Sequence, residues 1–175
     1  MKFLNLARLL ALLPLTLVLT QCDQVGALFG AKKPGPYAFD LVLKMSPKAD
    51  AATKPNPDGL FVDAYYYGDA APAYRDQADT LNRIYLGRER WSYDGKVRRV
   101  HLEGESIDTS KLSQTSDGLV RVLVSVDGVG PSGDRAACHD YNGPIRQAQQ
   151  KTPVLQCEFD AERYWENAAT ETPAK

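Results

Sequence analysis

Histidine is scarce in this chain, and neither sign of charge dominates it. Two histidines among 175 residues leave few ligands for a multi-histidine metal centre and few bases for histidine-dependent catalysis. The 21 basic residues nearly balance the 22 acidic ones, so no basic surface for nucleic acid is expected. The chain also lacks an internal repeat, which argues against a solenoid or a propeller.

Motifs of common catalytic sites are absent as well. The sequence has no glycine-rich phosphate loop, no GxSxG nucleophile elbow and no HExxH zinc motif. Cys138-His139-Asp140 places a thiol beside a base, but residues adjacent in sequence seldom face each other in a fold. We therefore predict a protein that is not an enzyme, with no catalytic residues, no cofactor and no metal ligands.

The first residues have the pattern of a secretory signal peptide. Lys2 and Arg8 precede an apolar run from Leu9 to Leu19, which is too short to span a membrane as a helix. The pattern predicts a signal peptide over residues 1–21. A buried N-terminal helix is the alternative interpretation of the same run.

The end of this run contains a cysteine. The segment Leu19-Thr20-Gln21-Cys22 resembles the lipobox of bacterial lipoproteins, which implies that Cys22 becomes the lipidated first residue of the mature chain. Residues 22–36 then form the lipidated cysteine and a flexible tether rich in glycine and proline. An ordinary signal peptide, cut after Val25-Gly26-Ala27, is the alternative.

Two cysteines, Cys138 and Cys157, remain beyond the tether. Because disulfides form and persist in the compartments that exported proteins reach, we predict a bond between them. Such a bond stabilises a fold by about 3 kcal/mol in the loop-entropy account. A metal site of Cys138, His139 and Cys157 is the weaker alternative, since the paired ligand spacing of zinc sites is missing.

Alternating apolar residues predict a mainly β domain over residues 37–167, followed by a frayed tail over residues 168–175. Period-two alternation indicates four strands, at Ala38–Ser46, Leu60–Tyr67, Leu119–Asp127 and Val154–Phe159. Trp91–Glu103 is predicted to be a hairpin that turns at Asp94-Gly95.

One segment has a helical period instead. Tyr74, Ala78, Leu81 and Tyr85 are spaced three or four residues apart, which predicts an amphipathic helix over Pro72–Arg88. A second short helix is expected after Asp160. The predicted fold is therefore a small antiparallel β-sandwich with one inserted short helix.

These features together resemble the outer-membrane lipoproteins of type VI secretion systems. The resemblance covers residues 38–127 and is carried by Phe39–Ala51, Asn56, Ala78-Asp79 with Leu81, Gly104-Glu105-Ser106 and Leu119–Val126. It implies a transthyretin-like sandwich that docks onto the periplasmic domain of an inner-membrane secretion component. It also implies an outer-membrane location, whereas Asp23 directly after Cys22 is associated with inner-membrane retention in enteric bacteria.

The predicted partner-binding surface joins the loop Pro47–Gly59 to the outward face of the second strand. The resemblance implies that the loop makes much of the contact, and long ordered loops on rigid scaffolds commonly carry recognition. Tyrosines on the outward face are side chains that interfaces favour. The predicted partner-binding residues are Asn56, Asp58, Phe61, Tyr65 and Tyr67. The alternative is that these tyrosines are covered by the chain itself.

Two other functions agree with the same features. A lipid-anchored immunity or inhibitor protein that blocks a toxin would have the same sandwich and disulfide. A periplasmic binding module would use the tyrosine-rich second strand as a platform for a small ligand. We favour a non-enzymatic, lipid-anchored envelope protein that docks a protein partner and does not bind nucleic acid.

Overall fold

The computed structural model describes residues 34–160. Its strands are Phe39–Met45 (β1), Leu60–Asp69 (β2), Arg83–Tyr93 (β3), Arg99–Leu102 (β4), Arg121–Val129 (β5), Arg135–Cys138 (β6), Tyr141–Pro144 (β7) and Val154–Phe159 (β8). Its α-helices are Pro47–Thr53 (α1) and Ile145–Gln150 (α2), and short 3₁₀ helices cover Pro72–Gln77 and Thr109–Gln114. The predicted signal peptide, Cys22, most of the tether and the tail after Asp160 lie outside the described residues.

The strands of this described part join into one mixed sheet that is nearly closed into a barrel. Their hydrogen-bonded order is β3-β2-β5-β6-β8-β1-β4, and β7 pairs with β5 beside that path. Neighbouring strands are antiparallel except β1 and β8, which run parallel. The prediction of a mainly β, sandwich-like fold is confirmed.

Alternating side chains from the strands fill the interior. Val120 and the three valines that follow it at every second position, Val122, Val124 and Val126, are all buried, as the alternation in this segment predicts. In β8, whose bounds equal those of the predicted strand, Leu155 and Cys157 are buried and Val154 is exposed. Alternation of apolar and polar residues therefore predicts strands that have one buried and one solvent-exposed face.

The helix predicted over Pro72–Arg88 is wrong. A 3₁₀ helix occupies the start of this range, and β3 occupies its end. Ile84 and Leu86 are buried while Tyr85 between them is 46% exposed, which is the burial of a strand. Pairing with β2 from Arg83 to Tyr93, interrupted only at Leu86, outweighs the weaker helical spacing of the aromatic residues.

A side-chain turn separates the two elements in this range. The Asp79 carboxylate accepts hydrogen bonds from the backbone N–H groups of Leu81 and Arg83, each at 2.9 Å. Asn82 in the same turn has a positive φ of 58°, a conformation that asparagine tolerates better than most residues. Both features compete with a continuous helix and direct the chain into β3.

The turn at Asp94-Gly95 is present, but the predicted hairpin pairing is wrong. The Val97 N–H donates to the Asp94 carbonyl at 2.9 Å, so the chain does reverse direction here. However, β3 pairs with β2 and β4 pairs with β1, at opposite ends of the strand order. The Leu43 N–H donates to the Arg98 carbonyl at 2.9 Å, so pairing with β1 begins as soon as the turn ends.

The predicted loop Pro47–Gly59 is a helix over its first half. The Ser46 hydroxyl accepts a bond from the Ala49 N–H at 3.2 Å, and Pro47 follows at the start of α1, where proline is favoured. This helix closes one end of the barrel, where the Thr53 carbonyl lies directly against Gly95. A side chain at Gly95 would occupy the space of that carbonyl, so only glycine allows this approach.

Three elements between residues 135 and 150, namely β6, β7 and α2, were not predicted. The two strands have four residues each, too few to display an alternation.

No helix of the described residues is long and apolar enough to cross a membrane.

Candidate functional site

The outer face of β2 and β3 carries a group of aromatic and basic side chains. We call it the tyrosine cluster, and its members are Tyr65, Tyr67, Tyr85 and Arg83. The ring of Tyr65 is centred 5.3 Å from that of Tyr85 and 6.1 Å from that of Tyr67. The Arg83 guanidinium lies 5.4 Å from the ring centre of Tyr65 and 5.0 Å from that of Tyr67. These ring and cation–π contacts hold the cluster in one arrangement.

A β-bulge creates the geometry of the cluster. The register between β2 and β3 shifts after Tyr66, so that Leu86 has no partner on β2 and Tyr67 pairs with Tyr85. The strands twist more strongly at a bulge, and side chains are directed differently on its two sides. A sequence pattern of strict alternation cannot show this shift.

Tyr67 is buried, so its predicted exposure is wrong. It lies on the outer side of the sheet, as expected, but is only 6% exposed. Its hydroxyl donates to the Asn142 side-chain oxygen at 2.6 Å, which joins β2 to β7 across β5. Tyr67 is therefore the buried member of the cluster and offers almost no surface to a partner.

Tyr85 is the accessible ring of the cluster, while Tyr65 is half-buried. Burial raises the pKa of the Tyr65 hydroxyl, and the nearby Asp79 carboxylate adds to the effect. The Lys111 ammonium lies 5.8 Å from the ring centre of Tyr85. Tyr85 thus combines an exposed aromatic surface with a fixed position.

Phe61 lies on the same outer face, towards the end of the barrel that α1 closes. It is 45% exposed and pairs with Asp127 on β5. Asp63 stands between Phe61 and the tyrosine cluster, and its carboxylate binds the side chains of Arg88 and Arg90. The hydrogen bond from Arg88 holds the pKa of Asp63 below its usual range. The outer face therefore has two aromatic regions, Phe61 and the tyrosine cluster, which the ion-paired Asp63 separates.

Asn56 and Asp58 lie before β2, at its α1 end, whereas the tyrosine cluster lies towards the opposite end of the strand. The Asn56 side chain donates to the Val129 carbonyl at 2.9 Å and accepts from the Asp58 N–H at 3.1 Å. Its carbonyl accepts from the N–H of Gly95 at 2.9 Å. Asn56 thus joins three segments of the fold, whereas the Asp58 side chain is exposed beside it.

Cys138 and Cys157 are paired residues on β6 and β8, with their sulfur atoms at bonding distance. This geometry favours the disulfide over the metal site that includes His139, whose side chain is 62% exposed. Among the described residues, no group of three metal-binding side chains comes together. A bonded Cys138 also leaves no thiolate for the nucleophile considered above.

One buried acidic residue was missed by the sequence analysis. Glu89 on β3 is 7% exposed, and neither of its carboxylate oxygens has a hydrogen-bond partner. The buried Tyr66 hydroxyl has none within 3.5 Å either. Burial raises the pKa of that hydroxyl, and the nearby Glu89 carboxylate raises it further, through its negative charge and as a hydrogen-bond acceptor. The sequence does contain a signal for this burial. Arg88, Glu89 and Arg90 are consecutive charged residues, and in a strand the side chain of the middle residue points to the face opposite to that of its two neighbours.

Comparison with known proteins finds no relative of this chain. No protein-family model, no curated protein and no solved structure matches the chain. What the arrangement offers chemically is a rigid aromatic and cationic surface, which suits recognition of another molecule.

Proposed function

We propose that the protein binds a protein partner through the tyrosine cluster and the outer face around it, without catalysing a reaction. The observation that carries the proposal is an exposed Tyr85 ring held by contacts to Tyr65, with Arg83 placed over the neighbouring ring. Tyrosine and arginine are the side chains that contribute most at interfaces. Because these side chains are already ordered, docking costs little conformational entropy.

We further propose that the protein is anchored in a bacterial envelope. Cys22 carries a lipid, and the partner is the periplasmic domain of an inner-membrane component of a type VI secretion machine. Support comes from the lipobox-like segment before Cys22 and from the resemblance over residues 38–127. The anchor is tested first by a Cys22→Ser variant, which is expected to leave the membrane fraction. Retention of this variant in the membrane fraction would remove the lipid from the proposal.

The docking surface is tested by photocrosslinking within intact cells. A photoreactive phenylalanine analogue at position 85 contacts whatever protein covers the cluster. The same analogue at Gln156, an exposed position on β8, is the matched control. We expect a discrete crosslinked product from position 85 that position 156 does not form. Equal products from both positions, or none, would contradict the proposal.

Truncation then measures the contribution of the ring. Tyr85→Ala is expected to weaken binding of the partner identified by crosslinking about tenfold or more, as truncation of an interface anchor does. Val154→Ala, which shortens an exposed apolar side chain on β8, should leave recovery unchanged. Mass spectrometry of the product distinguishes a secretion component from a toxin, which would instead support the immunity alternative.

A further inference from the structure

The sheet has an open seam between β3 and β4. These strands end the hydrogen-bonded order, and in the described part of the chain no ladder joins them. The turn at Asp94 closes one end of the seam. At the other end, the Asp108 N–H donates to the Leu86 carbonyl at 2.7 Å. Between these two points, residues 88–92 of β3 pair on one side only, with β2.

Glu89 lies on the inner side of β3 in this unpaired stretch. It pairs with Ala64, which belongs to the buried inner face of β2 together with Tyr66. The two Glu89 carboxylate oxygens and the Tyr66 hydroxyl are the buried side-chain polar atoms, among residues 34–160, that lack a hydrogen bond. A buried carboxylate needs a compensating charge or hydrogen bonds, and the Tyr66 hydroxyl beside Glu89 carries no charge that compensates it.

The same stretch presents an aromatic side chain and a strand edge. Trp91 lies on the inner side, two residues beyond Glu89, and is 52% exposed, whereas the Glu89 carboxylate oxygens are buried. Across the seam, the His101 carbonyl accepts a long bond of 3.4 Å from the Tyr93 hydroxyl. An unpaired edge of this kind is a template for an added strand.

We propose that the seam binds an extended segment of a protein partner and that a lysine or arginine of this segment reaches Glu89. The backbone of the segment pairs with residues 88–92 of β3. Its basic side chain enters beside Trp91, which covers the aliphatic part and interacts with the charge. The ammonium or guanidinium group then compensates the buried carboxylate. A neutral side chain would leave that charge uncompensated.

This site goes beyond the docking function proposed above and does not depend on it. The tyrosine cluster lies on the outer face of β2 and β3, whereas Glu89 and Tyr66 lie on the inner face. Variants of the two sites can therefore be tested separately.

The probe is a library of short random peptides displayed on phage, selected against the intact protein and in parallel against its Glu89→Gln variant. We expect peptides selected on the wild type to share a lysine or arginine within a β-prone run. A synthetic peptide from this selection should bind the wild type about tenfold more tightly than Glu89→Gln. Replacing its basic residue with norleucine should abolish the difference between the two proteins, as a coupled pair requires.

Hydrogen exchange locates the bound peptide. Amides of residues 88–92 should exchange more slowly in the complex, and Tyr85→Ala should bind the peptide as the wild type does. Trp91→Ala, a change at an exposed side chain, gives a second reading if Glu89→Gln does not fold, and we expect several-fold weaker binding. Three results would each overturn the proposal. The selected peptides could lack lysine and arginine, the Glu89→Gln or Trp91→Ala variant could bind the peptide as tightly as the wild type, or the bound peptide could slow exchange at amides outside residues 88–92.

Discussion

Cys138 and Cys157 face each other across β6 and β8, at the place where the two halves of the sheet join. The order β3-β2-β5 continues to β8-β1-β4 only through β6, within the described residues. This strand has four residues, and three of them pair with β8. The cysteine pair therefore fastens a short bridging strand to its neighbour.

Replacing both cysteines with alanine is expected to lower the free energy of unfolding by about 2–5 kcal/mol. The unfolded chain gains conformations when the link is lost, while the folded strands remain paired. Denaturant unfolding of the two proteins measures the loss, and reduction of the wild type should reproduce it. Two alkylatable thiols in the unreduced protein taken from cells would show that the bond does not form.

Tyr67→Phe is expected to destabilise the protein by about 1 kcal/mol, because it removes the hydroxyl that binds Asn142. Tyr65→Phe is the matched control, since the neighbouring Tyr65 hydroxyl has no hydrogen bond within the described residues. Its effect should be close to zero. Thermal unfolding compares the two variants, and equal melting temperatures would show that the bond between Tyr67 and Asn142 contributes nothing.

Asp63→Asn is expected to destabilise the protein in a manner that depends on pH. Arg88 holds the pKa of Asp63 below its usual range, so the folded state favours the carboxylate. The stabilisation is present at neutral pH and is lost as the pH falls through the lowered pKa. Because the side chain is partly exposed, the loss at neutral pH should be only about 0.5–1 kcal/mol.

Unfolding measured across the acid range tests this dependence. Asp127→Asn is the control, because Asp127 lies on the same outer face and forms no ion pair within residues 34–160. We expect the difference between wild type and Asp63→Asn to vanish in strong acid. A difference that stays constant with pH would contradict an origin in the Arg88 pair.

Gly95→Ala is expected to cost about 2–3 kcal/mol, because a methyl group there would overlap the Thr53 carbonyl of α1. Gly118→Ala is a comparison without crowding, since no atom lies within 4 Å of a side chain at that position. Its positive φ of 66° should cost about 1 kcal/mol through backbone strain alone. A smaller loss for Gly95→Ala than for Gly118→Ala would show that α1 can move away.

Local patterns were sufficient for several strands of the fold. Apolar residues recur at every second position in β5 and in β8, and both segments are strands with one buried face. Ser46 followed by Pro47 is a helix-start signal in the sequence as well, at the residues where α1 begins. The outer-face position of Phe61, Tyr65 and Tyr67 followed from alternation as well.

The sequence by itself thus determined the mainly β class, the positions of β1, β5 and β8, and the outer side of β2. Only the tertiary structure decided that β3 and β4 lie at opposite edges of the sheet, that Tyr67 is buried and bonded to Asn142, and that Glu89 is buried beside a seam. The reason is physical. Alternation depends on which face of a strand is buried and acts between near neighbours. The choice of hydrogen-bonded partner depends on contacts between residues far apart in the chain, which no local pattern encodes.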